Sequence, residues 1–98
     1  METFQELIQS DIPVLVDFYA DWCGPCKTMN PAILDIGKTI QGKGRVVKIN
    51  IDKNQAIAAQ FTVQSVPTFV IFKSGKPLWR HSGTIDKNTL LKQLLSFV

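Results

Sequence analysis

Cysteine and histidine are scarce in this chain of 98 residues: two cysteines, Cys23 and Cys26, and one histidine, His81. Two cysteines do not make a secreted disulfide framework, which uses four or more. With a single histidine they also fall short of the four ligands of a structural zinc site, which would have to be completed by a second chain. No apolar run approaches the roughly 18 residues of a membrane span. The best stretch, Val66–Phe72, is interrupted by Pro67 and Thr68. Concentrated charge is missing as well. The net charge is +3, from 11 basic and 8 acidic residues, and the lysines are scattered. Nucleic-acid binding needs a basic face with groove-reading or stacking residues, so that class is set aside. The opening Met1-Glu2-Thr3-Phe4-Gln5-Glu6 is acidic and carries neither the basic start nor the apolar run of a signal peptide, which gives the expectation of a cytoplasmic protein.

What is present is an ordinary globular composition, 45% hydrophobic and 19% charged. Length and composition together give one domain, residues 1–98. Phe4, Leu7 and Ile8 repeat at helical spacing, so a short helix fits residues 2–10, ended by Asp11-Ile12-Pro13. Val14–Tyr19 is a nearly continuous apolar run, as in a strand covered on both faces. A longer helix begins near Cys23–Pro25, with Met29, Ile33, Ile36 and Ile40 on one face and a kink expected at Pro31. Gly42 and Gly44 end it. Arg45–Ile51 reads as a strand with Val47, Ile49 and Ile51 on one side, and Asn54 as the N-cap of a short helix carrying Ile57, Ala58 and Phe61. Thr68–Lys73 and Pro77–Ser82 read as a hairpin across Ser74-Gly75. Asp86 caps a last helix with a core face of Leu90, Leu91, Leu94 and Leu95. The order α-β-α-β-α-β-β-α predicts an α/β fold with parallel pairing in its βαβ unit and antiparallel pairing in its hairpin.

The chemistry concentrates at Cys23-Gly24-Pro25-Cys26, where a buried strand hands over to a helix. Cysteines three apart on a first helical turn are close enough to bridge. The bridge closes so short a loop that it adds only about 2 kcal/mol on the chain-entropy model, which argues for chemistry over scaffolding. Unpaired N–H groups and the positive end of the helix dipole favour the Cys23 thiolate and lower its pKa. A thiolate attacks a disulfide sulfur, and a second thiol one turn away completes the exchange. Cys26, deeper in the helix and expected to be the less exposed, is then the resolving thiol. An inert pair of core cysteines is the bland alternative. Asp17 is the odd residue of its strand. Buried, its pKa would rise and it could take the proton from Cys26; turned to a polar edge, it would do neither. Trp22 is either a core anchor or a wall facing the substrate, and its loop position favours the wall. His81 reads as a surface or packing residue, and Lys48 as a solvated strand residue.

Val14-Leu15-Val16-Asp17-Phe18-Tyr19-Ala20-Asp21-Trp22-Cys23-Gly24-Pro25-Cys26-Lys27 resembles the active-site segment of the thioredoxin family. Pro31-Ala32-Ile33-Leu34, Lys48-Ile49-Asn50-Ile51-Asp52, Val66-Pro67-Thr68-Phe69 and Gly83 extend the likeness from about Ile12 to the C-terminus. The resemblance implies a thioredoxin-like fold. It implies that Pro67 is cis and packs against the disulfide, and that the backbone before it pairs with substrate. Asp17 is then the buried proton acceptor, Lys48 its charged neighbour, and Trp22, Gly24, Pro25, Val66, Pro67, Gly83 and Thr84 the substrate groove. The Gly-Pro pair between the cysteines is similar to that of reducing members. One departure stands out: only Met1-Glu2-Thr3 precedes the first helix, too little for the additional strand with which members of the family usually open. A mixed four-stranded sheet follows, with Arg45–Ile51 as an uncovered edge and Arg45 and Lys48 as its guards.

The expected function is thiol-disulfide exchange, in which protein disulfides are reduced without a bound cofactor. NADPH would supply electrons indirectly, through a thioredoxin reductase. Expected partners are that reductase and disulfide-containing proteins, with no nucleic acid and no membrane, and the expected state is a monomer. The rivals are an extracytoplasmic thiol reductant for envelope or cytochrome maturation, a non-catalytic subunit of the same fold, and a metal-linked dimer.

Overall fold

β-Branched and aromatic residues make Val14–Tyr19 the central strand, and it is buried along nearly its whole length. The computed structural model describes residues 2–98. Its elements are α1 (Phe4–Ile8), β1 (Val14–Tyr19), α2 (Gly24–Thr39), β2 (Arg45–Asn50), α3 (Gln55–Gln60), β3 (Thr68–Lys73), β4 (Lys76–Ser82) and α4 (Lys87–Leu95). The sheet order is β2-β1-β3-β4. β1 pairs with β2 in parallel and with β3 antiparallel, and β3 and β4 form the hairpin. The expected element order and the mixed four-stranded sheet are both present, with β2 at one edge.

Alternation along the strands sends side chains into two cores, one on each face of the sheet. Leu15, Phe69 and Ile71 meet Met29, Ile33, Ile36 and Ile40 of the α2 segment and Leu90 and Leu94 of α4. Val14, Val16, Phe18, Val70 and Phe72 meet Ile8, with Phe4, Leu7, Ile57 and Phe61 packed around them. Phe61 anchors the second core edge-on to Phe72, at 5.0 Å between ring centroids. Asp17 alternates with Leu15 and Lys48 with Val46, so both belong to the α2 side of the sheet.

Local chemistry sets the helix ends. Thr3 and Glu6 form a reciprocal capping box at α1, which is shorter than the expected 2–10. α2 starts at Gly24 with Pro25 in its first turn and runs without interruption through Pro31. Asp86 accepts the Thr89 N–H at 3.1 Å and caps α4. Two expectations are corrected here. Asn54 occupies the cap position of α3, but its side chain makes no cap bond and donates to the Asn50 carbonyl at 3.0 Å. Leu95 is exposed, because the core face of α4 runs through Leu90 and Leu94, with Leu91 and Phe97 packed beside them.

Candidate active site

Cys23 is the N-cap of α2. Its Sγ accepts the Cys26 N–H at 3.1 Å, so the sulfur sits where a serine or aspartate oxygen would cap a helix. The two cysteines form a disulfide with Cα atoms 5.3 Å apart. The expected difference in exposure is absent: Cys23 is 4% and Cys26 5% exposed. In the disulfide both sulfurs pack with Ala20 against Tyr19, Ile51 and Val66, which leaves position relative to the helix end as the distinction between them. Gly24 leaves the surface above the disulfide open, since a Cβ there would have no heavy atom within 4 Å.

Across from the cysteines, the Val66–Pro67 peptide is cis. Pro67 is buried and Val66 half-buried beside the disulfide. The Pro67 carbonyl accepts the Gly83 N–H at 2.8 Å, and Gly83 adopts φ +98°, a backbone that favours glycine. Thr84 is exposed, and its carbonyl meets His81 Nε2 at 3.1 Å. His81 itself stacks on Trp79 at 6.0 Å, in keeping with its reading as a packing residue. Trp22 is 70% exposed and therefore no core anchor. Its indole N–H donates to Asp52 at 2.9 Å, which fixes the ring beside Cys23. Asp52 is placed in turn by Asn50, whose side-chain oxygen accepts the Asp52 N–H at 2.9 Å.

Asp17 is 2% exposed, and its Oδ1 has no hydrogen-bond partner among the described residues, which decides between the two readings of this residue in favour of burial. Burial pushes its carboxyl up from 3.8 to about 6, against the pull of the Lys48 ammonium, which lowers it. Lys48 is opposite in register on β2 and is exposed. Its Nζ donates to Asn30 Oδ1 at 2.7 Å and lies 4.6 Å from the centre of the Tyr19 ring. A cleft of about 400 Å³ lined by Tyr19, Ala20, Asp21, Cys26, Lys27, Asn30 and Lys48 leads from Cys26 to this ammonium. Sequence reasoning missed Asn30, although its place one helical turn after Cys26 puts it on the same side of α2. It also missed Asp52 as the partner of Trp22, and no local pattern relates two residues that far apart. Among the described residues no group of three or more metal-ligating side chains converges.

The site is thus a disulfide at a helix start, nearly closed to solvent, with the cis Val66–Pro67 peptide beside it and a buried carboxyl, Asp17, on the α2 side of the sheet. Comparison with known proteins gives it a family. The thioredoxin family model matches residues 1–96. The chain is 46% identical over 87 residues to the thioredoxin of Rickettsia felis, covering 89% of this chain and 83% of that one. It is 44% identical over 90 residues to thioredoxin 1 of a Nostoc species, with 92% and 84% covered. The chain belongs to the thioredoxin family. Among solved structures, mitochondrial thioredoxin 3 of Saccharomyces cerevisiae in its oxidized form superposes with a TM-score of 0.86 at 33% identity, over 95% of this chain and 86% of that one. As a thioredoxin-family protein with a disulfide-forming pair at the start of α2, the chain is a thiol-disulfide oxidoreductase. Among the described residues, no helix is long and apolar enough to cross a membrane.

Proposed function

We propose that the chain is a reductase of protein disulfides. The observation that carries this reading is the Cys23 sulfur held as the cap of α2, where the helix end stabilises negative charge on it. The Cys23 thiolate attacks one sulfur of a target disulfide. A mixed disulfide forms and the target's other sulfur leaves as a thiolate. Cys26 then gives up its proton and attacks the Cys23 sulfur, and the second target thiol leaves. The target gains two electrons, and the Cys23–Cys26 bridge carries the corresponding oxidation.

Asp17 is proposed as the acceptor of the Cys26 proton. It is buried on the α2 side of the sheet, and a carboxyl held near 6 is matched to proton transfer close to neutrality. Lys48 keeps that carboxyl from rising further. Trp22, Gly24, Pro25, Val66, Pro67, Gly83 and Thr84 are proposed to form the binding groove, with the half-buried Val66 backbone presented to an extended target segment. The proposed electron donor is an NADPH-dependent thioredoxin reductase, which exchanges with the bridge directly, so no cofactor stays bound to this chain. A cytoplasmic, monomeric protein is the proposed setting.

Two measurements test the reading. The reduction potential, followed by tryptophan fluorescence in thiol buffers, should lie at the reducing end of the family range; about 30 mV corresponds to 1.4 kcal/mol for this two-electron couple. A value at the oxidising end would reassign the chain to disulfide formation. Cys26→Ser should accumulate mixed disulfides with target proteins through Cys23, and an absence of adducts would overturn the division of roles.

A further inference from the structure

The free edge of β2 has a regular and addressable backbone. Arg45 donates its N–H to Pro13 at 3.0 Å and Ile51 donates to Tyr19 at 2.9 Å, so alternate residues of this segment face β1. Val46 and Lys48 fall between them and turn their N–H and C=O groups outward, away from β1, the one strand among the described residues that β2 pairs with. Asn50 also turns outward, but its carbonyl is taken by the Asn54 side chain. The opposite edge of the sheet is guarded differently: β4 has an irregular register against Ile71 and Phe72 and carries Pro77. The β2 edge has no bulge and no proline.

Beside these outward groups runs a groove of about 500 Å³ between β2 and α2. Ile33, Leu34 and Val46 give it an apolar wall, and Leu34 is 64% exposed. Gly37 keeps the helix side open, since a Cβ there would only just reach Val46, at 3.9 Å. Two ammonium groups, Lys38 and Lys48, line the groove, and no carboxylate does. Asp35, on the same helix, is held by Lys87 of α4 at 2.6 Å. Arg45 is held by Glu2 at 3.1 Å, so Lys48 and Lys38 are the cations left beside this edge, and a second copy of β2 paired here would bring these like charges together, which disfavours self-pairing.

We propose that this edge is a docking site for an extended, acidic segment of a partner protein, which adds to the sheet as a fifth strand beside β2. Its backbone bonds to the outward groups of Val46 and Lys48. On its α2-facing side an aliphatic residue covers Leu34 and Val46, and a carboxylate two positions away meets Lys38 or Lys48, at the ~6.7 Å spacing of alternate strand residues. The site lies on the flank of the molecule. It shares Lys48 with the cleft beside Cys26 but does not depend on the disulfide being active, so the Lys38 and Val46 variants test it separately from the reductase reading.

A short blocked peptide with isoleucine and glutamate at i and i+2 tests this on the intact protein, with a lysine-for-glutamate peptide and a backbone N-methylated peptide as comparisons. The glutamate peptide should bind and slow hydrogen exchange at the Val46 and Lys48 amides. Lys38→Glu should weaken it about fivefold, the upper end for one exposed ion pair, and added salt should act in the same direction. The N-methylated peptide should not bind. Val46→Pro removes an outward N–H on an edge strand together with the Val46 side chain that packs against the core, and should abolish binding at some cost in melting temperature. If that variant unfolds, Lys38→Glu and the peptide comparisons still decide. Equal binding of the lysine peptide, perturbation at Trp22 and Val66 in place of β2, or a two-chain mass without peptide would each overturn the proposal, as would no binding at millimolar peptide.

Discussion

Asp17 and Lys48 sit opposite each other in register across β1 and β2, one sealed beneath α2 and the other in solvent. Their pairing is therefore a charge interaction across a boundary between low and high dielectric, and its two ends respond differently to pH and to substitution.

Asp17→Asn should stabilise the fold at neutral pH. The native carboxyl titrates at about 6, above the 3.8 of an unperturbed aspartate. The native state therefore binds the proton more tightly than the unfolded chain. This contribution to stability is complete below pH 3.8, falls as pH rises, and is lost above about pH 6. At 1.36 kcal/mol per pH unit, the ionised carboxyl costs about 3 kcal/mol at pH 7. Unfolding free energies of the parent and Asp17→Asn from denaturant titrations should coincide below pH 3.8 and diverge by that amount by pH 7. The same variant should slow the resolving step, so stability and activity move in opposite directions.

Lys48→Gln should carry the Asp17 titration upward, because the ammonium is what lowers it. Carboxyl carbon chemical shifts against pH would read this directly. Proton transfer from Cys26 should show the same upward displacement in its pH profile. Stability at neutral pH should fall, since the ionised Asp17 loses its one favourable charge. An unmoved titration would show that Lys48 acts through its contacts with Asn30 and Tyr19 alone.

Gly83→Ala should destabilise the protein by about 1–3 kcal/mol, from backbone conformation and not from crowding. A Cβ at Gly83 has no heavy atom within 4 Å, but φ is +98°. Relaxing that angle moves the N–H that holds the Pro67 carbonyl. The KM for a protein disulfide should therefore rise more than kcat falls.

Asp52→Ala should release the Trp22 indole. One hydrogen bond to a charged group is worth about 1.5–3 kcal/mol, less when exposed as here. A lower fluorescence anisotropy for Trp22 and a several-fold loss in kcat/KM are the expected results, with the disulfide still formed.

The fold was legible because local patterns and tertiary packing agree. Val14–Tyr19 reads as a buried strand from composition alone, and Leu90 and Leu94 fall on the face that helical spacing assigns to the core. The discrepancies come from interactions with no local signature. Asn54 prefers the Asn50 carbonyl to the helix it precedes. Leu95 matches its helix period, yet Phe97 and not Leu95 packs against the core beyond Leu94. At the site, the cysteine spacing and the helix start announce the chemistry, and Asp17 is conspicuous as a carboxylate among aliphatic residues. Whether Asp17 is buried depends on which face of the sheet α2 covers, and that is a property of the assembled fold. The link from Trp22 to Asp52 and the equal burial of the two sulfurs are likewise visible only in three dimensions.

The Cys23 sulfur accepts a backbone N–H as the helix cap, and this bears on how inactive controls should be chosen. Serine at that position keeps an oxygen that caps well, whereas alanine removes the cap and costs about 1 kcal/mol at the end of α2. A Cys23→Ala protein would thus lose its nucleophile and fray the turn that places Gly24, Pro25 and Cys26. A binding defect in it could come from either loss. Cys23→Ser separates the two, since it silences the exchange chemistry on an intact helix start.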